Sequence, residues 1–193
     1  MMISGIFGGG LRSAGSIRHN GKKLSEILES HARFISGDES GARADLTGAN
    51  LSRADLQKAA LAYANLSGAN LEGANLREAK LGSADLSKAN LRGADLRKAD
   101  LTETKAPEAD FTHAQIGGAE LFRADFSGAS FRGADCGATN FREAIVKGAD
   151  FKGASMQTTI LRETDLDGAD LTGVDLSTAL LPRSYKGQVT SKT

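Results

Sequence analysis

From Leu46 to Leu181 every fifth residue is apolar, and the register never slips across 28 consecutive repeats. The centre of the repeat is Leu in eighteen of them and Phe at Phe111, Phe126, Phe131, Phe141 and Phe151. Two residues earlier stands Ala in 23 repeats, and between the two stands Asp or Asn in 18. A period of five matches neither the 3.6 of a helix nor the 2 of a strand, so no helix face or flat strand can bury the pattern. The chain must turn once per repeat. Ala and the central residue are two apart and share one face of a short extended segment, while the residue between them points outward. The two remaining positions are polar or Gly and supply a corner. Gly fills the second of them in 11 repeats, which suits a turn with relaxed steric demands. Arg53, Lys58, Glu78 and Lys98 at the same position imply that a positive φ is not required there. Side and corner alternate, and the chain winds into a coil with Ala and Leu inside.

The run Ala64-Asn65-Leu66-Ser67-Gly68-Ala69-Asn70-Leu71-Glu72-Gly73-Ala74-Asn75-Leu76 resembles the pentapeptide repeat family, and the likeness extends over residues 44–183. The resemblance implies an all-β solenoid, a right-handed quadrilateral β-helix with four pentapeptides per square coil and a solid interior. On that basis the 28 repeats make about 7 coils. At the usual strand spacing the rod is roughly 34 Å long.

Four repeats per coil sort the residues into columns spaced by twenty. Face 1 is centred on Leu46, face 2 on Leu51, face 3 on Leu56 and face 4 on Leu61, each continued every twentieth residue. Phe111, Phe131 and Phe151 then fall one above another on face 2, as offset-stacked rings require, and Leu46, Leu51, Leu91 and Cys136 also belong to the interior. Asn50, Asn70 and Asn90 form a column outside face 2, where amides can hydrogen-bond from coil to coil. The weakest repeat is Thr104–Glu108, where Ala106 replaces a large central side chain and should leave its coil partly empty or narrowed.

Residues 1–21 are rich in Gly, Ser and Arg and read as a flexible segment. Residues 22–43 hold an amphipathic helix and a linker: Leu24, Ile27, Leu28, His31, Phe34 and Ile35 follow helical spacing and Gly37 provides the stop. This helix is expected to cover the N-terminal coil, which would otherwise expose unpaired backbone and bare Leu side chains. Residues 184–193 are a polar tail with no evident helix. No continuous apolar stretch or cleavage pattern suggests a secretory signal, and no apolar run approaches a membrane span.

The formal net charge is zero, with the repeats at −4, so no strong field draws nucleic acid and no direct nucleic-acid binding is expected. His19, His31 and His113 lack metal-like spacing and Cys136 has no second Cys. Acids repeated along a solid rod have no pocket to desolvate them, so neither catalysis nor a cofactor is expected. Function must then lie on the outside. Face 4 holds Ala60, Ala62, Tyr63, Phe122, Ile160 and Leu180 at outward positions, with Ile145 nearby on face 1, whereas the other faces carry almost nothing apolar. Apolar residues gathered on a rigid face suggest a contact surface.

The leading expectation is a non-catalytic scaffold, cytoplasmic and bacterial, that binds a protein partner through face 4 or a rod end, with a homodimer as one form of that contact. Two other readings stay open. Within the family that the chain resembles, one branch protects DNA gyrase by mimicking duplex DNA; here only face 1 is acidic, at −3. The other is peripheral membrane association through residues 1–35.

Overall fold

The computed structural model describes residues 10–186. Parallel β-bridges join residues twenty apart from Asp45↔Asn65 to Ile160↔Leu180, so each coil takes four pentapeptides. A repeat contributes one bridged residue, the outward-pointing one, with two ladder bonds, and its corner adds a further coil-to-coil bond, as from the Gly48 N–H to the Ser67 carbonyl at 2.9 Å. Leu46 N–H donates to the Asn65 carbonyl at 2.7 Å, and Asn65 N–H donates back to the Ala44 carbonyl at 2.9 Å. Such single-residue sides are too short to form conventional strands, yet they satisfy the backbone from coil to coil.

Each corner is a β-turn closed by the amide of the next Ala on the central carbonyl, as from Ala49 to Leu46 at 3.0 Å. Its third residue has a positive φ at every repeat from Gly48 to Gly173, including fifteen non-glycine residues such as Arg53 (56°), Lys58 (59°) and Ala138 (56°). This is the type II geometry. The expectation that a positive φ is optional is therefore corrected. A side chain makes the left-handed region costlier by about 1–2 kcal/mol without forbidding it, and the ladder bonds on either side of each corner hold it there.

The Asp or Asn preference has an equally local cause. All 18 of these residues accept, through Oδ1, the N–H two residues onward in the first half of the turn, at 2.9–3.4 Å. This Asx bond satisfies an amide that the ladder cannot reach. The coil-to-coil amide bond is a secondary use: Asn90 Nδ2 donates to Asn70 Oδ1 at 3.1 Å, while Asn50 Oδ1 serves the Ser52 amide and hydroxyl.

Ala and the central side chains fill the interior, with Leu46, Leu51, Leu91, Phe131, Phe151 and Cys136 fully buried. Phe111, Phe131 and Phe151 stack at centroid distances of 4.9 and 4.8 Å, nearly parallel, and Phe126 and Phe141 meet Phe131 edge-on at 5.3 and 5.7 Å. Where Thr replaces Ala, the buried hydroxyl finds an acceptor: Thr104, Thr139, Thr159 and Thr164 donate to the carbonyls of Leu81, Ile116, Cys136 and Phe141 at 2.6–2.9 Å. The ladder passes unbroken through Ala106, which is buried, and Pro107 occupies the second turn position, where its fixed φ suits type II. Burial pushes the Cys136 thiol far up, which leaves it unreactive.

The N-terminal end is closed by more than a helix. Residues 10–21, expected to be flexible, are built into the first coil; residues 1–9 lie outside the described residues. Arg12 pairs in parallel with Ala54, its N–H donating to the Arg53 carbonyl at 2.7 Å and its carbonyl accepting from Asp55 at 2.8 Å. A 3-10 turn (Ala14–Ser16), strand β1 (Arg18–His19) and strand β2 (Lys22–Lys23) follow, with Ile17 buried in the core. Helix α1 (Leu24–Ile35) then lies on the coil, with Leu24 and His31 buried and Ile27 and Leu28 packed against the core. Glu26 accepts from the Lys23 amide at the helix start. Gly37 (φ 81°) ends it, the amides of Gly37 and Asp38 returning to the carbonyls of Phe34 and Arg33.

The C-terminal end is less covered. Leu166, Leu171 and Leu181 are half-buried, unlike their counterparts in earlier coils, and Pro182 and Tyr185 supply the cover that the described tail provides. The rest of the tail, residues 187–193, lies outside the described residues.

Candidate protein-contact surface

The bridges from Ala60 through Lys80, Asp100, Glu120, Asn140 and Ile160 to Leu180 define the outward column of face 4. The seven apolar residues marked in the sequence do not form one patch on it. Ala60 and Ala62 are half-buried in the first coil beside the exposed Tyr63. At that same end the His31 ring stacks on Phe34 at 5.8 Å, and Phe34 and Ile35 remain partly exposed. Ile160 and Leu180 are bridged neighbours at the far end, with Leu180 44% exposed. Ile145 stands on face 1 between Asp125 and Asp165, 50% exposed.

Between the two ends, face 4 is charged. The Arg123 guanidinium lies 4.7 Å over the Phe122 ring and its Nε donates to Glu143 at 2.7 Å. Arg142 approaches the same ring at 5.9 Å and donates to Glu163 at 3.0 Å. The hydrogen bond from Arg123 holds the Glu143 carboxyl below its usual range. Phe122 is thus half-buried with two guanidinium groups close to its ring.

Two acids of face 2 are also paired. Arg92 reaches Asp110 at 3.1 Å and Arg132 reaches Asp150 at 2.8 Å, each bond running diagonally to the next coil. Burial pulls both carboxyls upward, but their hydrogen bonds win and hold them below the usual range. Among the described residues no group of three His, Cys, Asp or Glu side chains could hold a metal ion, and no helix is long and apolar enough to cross a membrane.

Sequence reading missed a groove of about 710 Å³ along the corner that follows face 2, lined among others by Leu11, Arg53, Glu72, Gly73, Gly93 and His113. Its signal was the spacing of Gly73 and Gly93 by twenty, which removes two successive side chains from the corner. A second hollow of about 720 Å³, with Arg162, Glu163, Asp165, Leu181 and Arg183 on its walls, lies at the C-terminal end.

The pentapeptide repeat family model matches residues 42–78, 74–116, 119–157 and 147–181, in eight copies. With the square ladder described above, the chain belongs to the pentapeptide repeat family, whose members are right-handed quadrilateral β-helices. Among solved structures it is similar to HetL, a pentapeptide repeat protein involved in heterocyst differentiation regulation from the cyanobacterium Nostoc sp. strain PCC 7120, at 29% identity over 74% of this chain and 86% of that one, TM-score 0.31. It is also similar to QnrB1, a plasmid-mediated fluoroquinolone resistance protein, at 25% identity over 72% of this chain and 71% of that one, TM-score 0.43. A pentapeptide repeat protein from the Arabidopsis thaliana thylakoid lumen shares 28% identity over 58% of this chain and 64% of that one, TM-score 0.21. No curated protein matches the sequence.

Proposed function

We propose that the protein is a non-catalytic scaffold, a rod of 28 pentapeptides in about seven coils, that binds another protein through the C-terminal end of face 4. The observation that carries this reading is the pair Ile160 and Leu180, continuous in the chain fold with the half-covered Leu166, Leu171 and Leu181 of the last coil. Elsewhere the central residues of the repeats are buried, so this end is where side chains of the core itself stay half-covered, beside the exposed Leu180. A second copy meeting it about a two-fold axis would bury the same patch on both chains without leaving a polymerising surface. A bacterial cytoplasmic setting accompanies the proposal, since the lone buried Cys136 requires no oxidising compartment.

The two other readings find less support. DNA mimicry directed at gyrase needs a continuous acidic strip, yet the outward column of the acidic face 1, from Asp45 through Asp85 and Asp125 to Asp165, is interrupted by Asn65, Lys105 and Ile145. Membrane association through α1 needs its apolar side free, yet Leu24, Ile27, Leu28 and His31 pack on the first coil.

Affinity capture from the native cell with wild-type, Leu180→Lys and Arg97→Glu proteins tests the proposal. A partner retained by Arg97→Glu on face 3 and lost from Leu180→Lys supports it; equal capture by all three overturns it. Light scattering on the same proteins reveals whether the partner is a second copy.

A further inference from the structure

We infer that the groove along Gly73 and Gly93 is a second binding site, one that takes an extended acidic peptide segment of another protein. It lies on the corner after face 2 and does not depend on the contact proposed at the C-terminal end. From Arg53 to His113 the groove climbs three coils, roughly 14 Å at strand spacing, which holds about four residues of extended chain. Its floor is bare at Gly93, where an added Cβ would meet nothing within 4 Å, so a peptide backbone can approach closely. The upper end is closed by His113, whose ring lies over Gly133.

The walls carry the recognition chemistry. Arg53 and Arg92 are each anchored through one nitrogen, Arg53 Nη2 to the Gly10 carbonyl at 2.7 Å and Arg92 Nη1 to Asp110 at 3.1 Å. The other N–H groups of both guanidiniums make no bond among the described residues. A guanidinium anchored in this way is ordered before a ligand arrives and holds a carboxylate through charge-assisted bonds. Glu72, the one acid among the lining residues, stands on the coil between the two arginines. With Asp110 beside Arg92, it repels a dianionic phosphate or a nucleic-acid strand more than it repels single carboxylates that each face an arginine. Acids three residues apart in a polyproline II segment face the same side about 9 Å apart, which matches the two-coil rise from Arg53 to Arg92. Leu11, 51% exposed on the N-terminal wall, offers apolar contact to a side chain between those acids.

Fluorescence anisotropy with the full chain tests this, using as probe a pool of fluorescein-labelled hexapeptides with Glu at the second and fifth positions and mixed residues elsewhere. A matched pool with Gln at those positions is the comparison. The wild-type chain should bind the Glu pool about tenfold more tightly than the Gln pool. Arg92→Gln should remove that preference, whereas Arg132→Gln, which breaks the same diagonal bond to Asp150 outside the groove, should keep it. Gly93→Glu should also abolish binding by filling the floor with a like charge, and the corner accepts this residue, since Glu78 and Glu108 hold φ of 57° at equivalent turns. Absent or equal binding of the two pools overturns the proposal, as does equal affinity of Arg92→Gln and Arg132→Gln for the Glu pool. Displacement of the peptides by an equal concentration of inorganic phosphate also overturns it, because the groove would then be a site for a free anion.

Discussion

The Ala44 amide donates a hydrogen bond to Nδ1 of His31 at 3.0 Å, tying helix α1 to the first repeat of the rod. The bond requires Nδ1 to be unprotonated, so the buried imidazole is neutral with its proton on Nε2. Nε2 is buried without a hydrogen bond of good geometry; the Ala62 carbonyl exerts only a partial pull. Burial is the dominant influence and lowers the His31 pKa, with Arg43 adding to it.

Stability should therefore depend on pH in a defined window. The unfolded histidine takes up a proton as pH falls through about 6.5, while the folded one resists until lower pH. Between those two values the unfolded chain binds more protons, so stability is complete above the window and falls as pH drops through it. Urea unfolding at pH 7.5 and 5.5 should give a lower midpoint at 5.5, and His31→Gln should flatten that difference. An unchanged pH dependence in the variant would show that His31 does not carry it.

Corner strain leads to a less intuitive expectation. Ala138 is exposed and occupies the left-handed region at φ 56°. Ala138→Gly should stabilise the rod by up to about 1 kcal/mol, the reverse of its effect in a helix or strand. Thermal unfolding checks this, and a clear loss of stability would place the corner outside the left-handed region.

Asn90 combines both uses of the outward amide, accepting from the Arg92 amide at 3.1 Å and donating to Asn70 at 3.1 Å. Asn90→Ala should cost about 1 kcal/mol, while Asn90→Asp keeps the turn bond and should cost less. Denaturant unfolding of the two variants separates the turn contribution from the ladder contribution.

What the sequence revealed, and what it hid, follows from the kind of signal each feature leaves. The five-residue period places Ala and Leu inside because burial acts at every repeat and accumulates over the whole rod. The left-handed corners were misread because Arg53 and Lys58 argue locally against a geometry that neighbouring coils impose. Arg12 joined the ladder and Ile17 the core unannounced, since one short pairing and one buried side chain make no pattern against a Gly-rich background. Face 4 looked apolar when its positions were counted together, but Arg123 and Arg142 fold over Phe122 and divide the surface in two. That division depends on side-chain direction, which column arithmetic does not contain. The groove at Gly73 and Gly93 is legible only once the glycines are known to stand on successive coils.

The central claim is that a solid rod acts through the C-terminal end of face 4, and amide hydrogen exchange with and without the captured partner tests it most directly. The edge of the last coil has no further coil to pair with, so its amides at Leu166, Gly168 and Leu171 should exchange quickly in the free protein. The account predicts added protection on binding at residues 160–181, with faces 2 and 3 of the middle coils unchanged. Protection confined to those middle coils, with the last coil left as it was, would contradict it.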